Sequence, residues 1–151
     1  MNLQEEKQQI VAFESSNDAP DPAEIAWAFP TVKPGMEPFG GRVVIQLRRI
    51  KKKTAGKIIL VEETKETEKW NTQVAKVISM GPLAFKKRDS LEPWPEGNWV
   101  QVGDYVRVPK WGGDRWEVPI SEDETALFSI FNDHEVIAKV TGDPLKVKAF
   151  L

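Results

Sequence analysis

The chain has 151 residues, a formal net charge of −2 and no cysteine, which excludes disulfides, thiolate nucleophiles and Cys-ligated metals. That length fits one domain with appendages, and eleven Pro, ten Gly and many short Val/Ile runs favour β structure over helices. No apolar run approaches the ~20 residues a membrane helix needs, and the start, MNLQEEKQQIVAF, reads as too acidic and too polar for a secretory signal.

Residues 1–36 read as an N-terminal extension. Asp21-Pro22-Ala23-Glu24 has the chemistry of a helix start, with an Asp cap, Pro at the first helical position and an early acid. Ile25 and Phe29 then share a face, Trp27 is available to dock, and Pro30 stops the run. A short helix over 22–29 and an unstructured tail both fit these residues. Pro34-Gly35 and Pro38 mark the boundary with the main domain. From Arg42 the pattern alternates: Val43, Ile45 and Leu47 against Arg42, Gln46 and Arg48, the period of a strand with one buried face.

Residues 51–69, KKKTAGKIILVEETKETEK, break this regularity. Ten of the nineteen positions are Lys or Glu, and Ile58, Ile59, Leu60 and Val61 sit among them as an isolated apolar run. So polar a segment buries too little apolar surface to offset the entropy of its own ordering. The residues leave two readings open, a half-buried edge strand or a tethered apolar anchor that a partner's groove takes in. The flanking charge is lopsided: residues 42–57 carry seven Arg/Lys and no acid, and 62–68 carry four Glu against one Lys. A basic block this short, followed at once by acids in a chain of net negative charge, reads as a solvated loop and not as a nucleic-acid surface.

Strand pattern resumes at Val74–Ile78 and ends at Met80-Gly81-Pro82. Residues 83–98, with Pro93-Trp94-Pro95, read as a surface loop. Val100–Asp104 predicts a strand end and a tight turn, Tyr105–Val108 a strand, Trp111–Asp114 a turn, and Trp116–Val118 a short strand. After the acidic loop 121–125 come strands at Leu127–Phe131 and Val136–Val140, separated by a polar turn at Asn132–Glu135. Leu145–Ala149 alternates apolar and basic, as in one more exposed strand. Six or seven short strands at close turn spacing suggest an all-β fold, a small β-barrel.

No catalytic constellation or metal site emerges. His134 is the single histidine and reads as a solvated turn residue, because metal sites need several clustered ligands. There is no Gly-x-Ser-x-Gly elbow and no phosphate-binding Gly-Lys-Ser/Thr loop. The six tryptophans suit packing in a small barrel better than ligand stacking.

The order of these pieces resembles the GroES-type co-chaperonins, the lids of barrel-shaped chaperonins, from about Pro38 to Val140. Pro38-Phe39-Gly40-Gly41-Arg42-Val43-Val44-Ile45 is similar to the family's opening Pro-Leu-x-Asp-Arg-Val strand. Thr54–Leu60 resembles its mobile loop, in which a Gly precedes an apolar tripeptide. Val102-Gly103-Asp104-Tyr105-Val106 matches its Val-Gly-Asp-x-Val turn, Lys110–Gly113 its Lys-Tyr-Gly-Gly segment, and Phe128–Val140 its closing pair of strands. The resemblance implies a GroES-like β-barrel over 37–140, with a mobile loop at 51–69, a roof-region insert at 79–99 and a tail at 141–151. It implies a homo-heptameric ring that caps a GroEL-type chaperonin and encloses an unfolded client, with no nucleic-acid or membrane partner. Chaperonin binding would fall to Ile58, Ile59 and Leu60, with Gly56, Lys57 and Val61 beside them. The chain would hold no cofactor of its own, ATP being bound by the chaperonin, and would work in the cytoplasm.

Three departures stand out. Gly41 replaces the family's usual Asp, residues 79–99 replace a compact roof hairpin, and the leader and tail have no counterpart. Long divergent lids of this kind are most similar to those of tailed bacteriophages, which implies the host cytoplasm as the site of action and a capsid protein as a client. The competing reading is a structural or virion interaction protein that kept the barrel and lost the chaperonin contact.

Overall fold

The structure is a computed structural model and describes residues 21–49 and 73–147. A helix, α1 (Pro22–Ala28), precedes six strands: β1 (Arg42–Leu47), β2 (Val74–Met80), β3 (Tyr105–Arg107), β4 (Asp114–Pro119), β5 (Thr125–Asn132) and β6 (Ala138–Lys139). The strands form one antiparallel sheet in the order β4-β5-β1-β2-β3-β6. The fold is the small all-β arrangement that the strand pattern predicted. No helix among the described residues is long and apolar enough to cross a membrane.

The main core draws on nearly every strand. Val43, Ile45 and Leu47 of β1 meet Ala75 and Val77 of β2, Val106 of β3 and Phe131 of β5, together with Val100, Val108 and Val136. Residues from strands far apart in the sheet order can share one core only if the sheet curves around it. A bulge in β2 preserves the pattern. Val44 pairs with Ser79 while Ile45 pairs with Val77, so Ile78 is the extra residue. Inward-facing Met80 and Val77 therefore both stay opposite inward-facing β1 residues, despite an odd spacing in sequence.

β1 departs from the expected one-sided strand. Val44, Gln46 and Arg48 are as buried as Val43, Ile45 and Leu47. The cover on the second face is the leader. Val32 packs with Val44, Phe128 and Trp116, the Gln46 side-chain amide donates to Pro30 O at 2.8 Å, and the Trp116 indole donates to Pro34 O at 2.8 Å. Of the two readings left open for the leader, the helix is the one that forms, with the Asp21 carboxylate accepting from Ala23 N at 2.9 Å.

Residues 83–98 are not only surface. β2 runs to Met80, two residues into the expected insert. Phe85 is fully buried, and its ring lies 5.3 Å from Trp94 and 5.9 Å from Trp99, with the two indoles 4.9 Å apart. Phe85 also holds a φ of 62°, a left-handed conformation that costs an L-residue about 1–2 kcal/mol. Ring burial, together with a hydrogen bond from Phe85 N to the Asp133 carboxylate at 2.9 Å, holds it there. Two further expectations shorten. The final strand is Ala138–Lys139, because Asp133–Glu135 forms a 3-10 turn and Val136 drops into the core. The tail is no strand through residue 147: Lys146 N donates back to Asp143 O at 3.1 Å, closing a turn.

Replacing Phe85 with Ala removes the largest side chain that the insert contributes to the core. At fixed protein concentration, Phe85→Ala is expected to lose about 3–5 kcal/mol of unfolding free energy by chemical denaturation. A loss below about 1 kcal/mol would mean that the insert is not part of the packed core.

Candidate functional site

The site begins where β1 and β2 end. These strands are paired neighbours with Leu47 opposite Ala75, and antiparallel neighbours need as few as two connecting residues. Here residues 50–72 make the connection. Long connections of this kind in compact domains are commonly functional. Gly56, Lys57, Ile58, Ile59, Leu60 and Val61 all fall in this segment and lie outside the described residues. What the structure describes is their base.

Both stems of the base are fixed by backbone bonds. Arg48 N donates to Val74 O at 3.0 Å, one step beyond the last strand pair, and Val108 N donates to Gln73 O at 2.8 Å. The Gln73 side chain is buried and donates to Val108 O at 3.3 Å. Two consecutive arginines then tie the departing stem to opposite ends of the chain. Arg49 N donates to Ala28 O at 3.0 Å and Arg49 Nε to Trp27 O at 2.9 Å, with the guanidinium 4.3 Å from the centre of the Trp27 ring. A desolvated stacking contact of this kind is worth ~1–2 kcal/mol. The Arg49–Glu124 pair at 3.6 Å adds little, since Glu124 is half exposed.

Arg48 turns to the tail. Its Nη1 donates to Val147 O at 2.7 Å and also to Pro144 O. Burial lowers the Arg48 pKa from its ordinary value to about 10, and the Asp143 carboxylate pulls in the opposite direction. The group remains a cation at neutral pH. A buried cation is tolerated when acceptors and a counter-charge surround it, and residues 143–147 supply both.

A second constellation lies at the other end of β1. Asp133, almost fully buried, accepts from Phe85 N at 2.9 Å and from His134 N at 2.8 Å, and its own N–H donates to Gly41 O at 2.8 Å. A Cβ at position 41 would lie 2.9 Å from Asp133 Oδ2. The space beside residue 41 is therefore occupied by a carboxylate from the distant closing segment, and glycine is required for close approach. His134 itself is solvated as expected, its side chain 68% exposed. Among the tryptophans, Trp94, Trp99 and Trp116 make ring contacts, whereas Trp111 is 73% exposed.

The base itself carries no signal in the sequence. Arg48 was read as a solvent-facing residue of an alternating strand, and no local signal marks it as buried. Carbonyls and a carboxylate from a segment roughly a hundred residues away help to make that burial tenable.

The fold and this base define a small all-β protein in which a long segment departs from firmly held stems, with no cluster of metal-ligating side chains among the described residues. Residues 35–140 match the family model described as the Chaperonin 10 Kd subunit, Cpn10, and the chain belongs to that family. It is thus a co-chaperonin by family, a class whose members partner chaperonins and are not enzymes.

The crowding at Gly41 has a direct test. Gly41→Ala should destabilise the protein by about 1–3 kcal/mol through overpacking against the Asp133 carboxylate. In an Asp133→Gly background, itself destabilised by the loss of the Phe85 N–H acceptor, the Gly41→Ala change should cost less, because the two side chains compete for one space. Strict additivity in a double-mutant cycle of thermal or chemical unfolding would contradict the shared site.

Proposed function

We propose that this co-chaperonin caps a GroEL-type chaperonin ring through an Ile58-Ile59-Leu60 anchor, with Gly56, Lys57 and Val61 completing the contact, and encloses a folding client. The observation that carries the reading is the position of these residues in a family member: the segment holding them joins the two neighbouring strands β1 and β2, and both of its stems are pinned. A firmly held base is what a binding arm needs, because motion at the stem would dilute the anchor at its target.

Burying three aliphatic side chains in a groove yields ~5–8 kcal/mol at ~1.5–3 kcal/mol each. Ordering about eight residues costs ~1 kcal/mol or more apiece. One arm is therefore close to neutral. A ring of seven such chains, the assembly we propose, binds by avidity and still releases when the chaperonin changes state. Nucleotide binding and hydrolysis stay with the chaperonin, so the chain needs no cofactor. The reading places it in the cytoplasm, that of the host for a phage-encoded lid, where a capsid protein is a fitting client.

Ile59→Asp tests the anchor. A charge forced into an apolar groove costs several kcal/mol per arm, and avidity compounds the loss. Co-sedimentation with a chaperonin ring in ATP should fall to background while native mass measurement still shows the intact homo-oligomer. Continued capping by the variant would refute the anchor. Loss of assembly would instead give Ile59 a structural role.

A further inference from the structure

The parts of the chain outside the family match, described here as 21–34 and 141–147, converge on one place. Ala28 and Phe29 of the leader and Val74 at the start of β2 form one buried apolar cluster, and Leu145 and Val147 of the tail pack against it, half-buried, together with Trp27, Tyr105 and Val140. Phe29 and Tyr105 are in ring contact at 5.0 Å. Arg48 binds the tail and Arg49 binds the leader. Consecutive side chains of an extended stretch point to opposite faces, so neighbouring residues of one stem are gripped from two sides.

We propose that leader and tail form a single collar around the stems of residues 50–72, with Arg48 and Arg49 as positioning residues that fix the direction in which that segment leaves the sheet. The functional half of this rests on the chaperonin-binding reading above. Two features make the collar one unit. Its buried cluster joins the leader to the returning stem at Val74 and the tail packs against that cluster, so lifting the tail uncovers it and lifting the leader removes two of its three buried members. Arg48, 6% exposed, donates to two carbonyls of the tail beside the Asp143 carboxylate, so lifting the tail breaks both charge-assisted bonds together. The consequence for binding is geometric. In a ring with several arms, the effective concentration of each arm depends on its stem pointing at its groove, so loosening the collar lowers avidity without altering the anchor.

The test uses the full-length protein. Trp27→Ala, at the leader's stacking contact, should speed hydrogen exchange not only at Phe29 and Arg49 but also at Leu145 and Lys146 in the tail. Arg48→Met should do the reverse, speeding exchange in the leader as well as in the tail. Both variants should keep the homo-oligomer's mass and weaken binding to a chaperonin ring in ATP by about tenfold or more. Arg48→Lys, which keeps a cation and its donors, should retain more of the affinity than Arg48→Met. Exchange changes confined to the mutated appendage would overturn the collar, and unchanged affinity in both variants would overturn the positioning role. Failure of the unaltered protein to bind any chaperonin ring would instead overturn the functional reading and the positioning role with it, while the exchange pattern still decides whether leader and tail act as one.

Discussion

β1 lies between β2 and β5 and buries both of its faces, and this sets what the rest of the chain must do. Val43, Ile45 and Leu47 fill the main core, while Val44 and Gln46 face the opposite side. A strand buried on both faces needs a second layer. Among the described residues, the leader supplies it. Pro30 and Pro34 accept from the Gln46 amide and the Trp116 indole, so these two polar groups on the second face keep partners under the leader. The leader is consequently part of the domain's packing, and the same run of chain that covers β1 delivers Trp27 and Ala28 to Arg49.

Much of this architecture was legible from residue patterns, and the exceptions share a cause. The helix start at Asp21-Pro22, the turn at Gly103-Asp104 and the strands at 74–80 and 125–132 are local signals, written in caps, turn chemistry and β-branched runs. Phe85, Gln46, Arg48 and Asp133 were not legible. Each is buried by a partner far away in sequence, and their own neighbourhoods, a Lys-rich loop, a polar alternation and an Asp-His-Glu turn, advertise exposure. The β2 bulge hid in the same way, because Val77-Ile78-Ser79-Met80 breaks the two-residue period and only the pairing with β1 reveals which residues face inward. For the proposed anchor the order was reversed. Ile58–Val61 stood out in sequence against ten Lys and Glu, and the structure describes only the stems from which that segment departs.

The three departures from the family pattern now have physical content. Glycine at position 41 goes with a buried Asp133 carboxylate that occupies the adjoining space and also holds the backbone of Phe85. The insert sends Phe85 into the core, with Trp94 edge-on and Trp99 tilted against its ring. The leader and tail meet at the stems of the 50–72 segment through a common apolar cluster and two arginines. Sequence added at three separate places has thus been absorbed by the two ends of β1, its start meeting Asp133 and the insert, its finish meeting the appendages.

Refolding of a client that requires a lid tests the central claim most directly. A chaperonin ring with ATP, denatured client and this protein as the sole co-chaperonin should return active client at a yield well above that of the ring alone, and the yield should vanish when ATP is withheld. Client recovery no better than with the ring alone, from a preparation whose homo-oligomer is intact, would contradict the account.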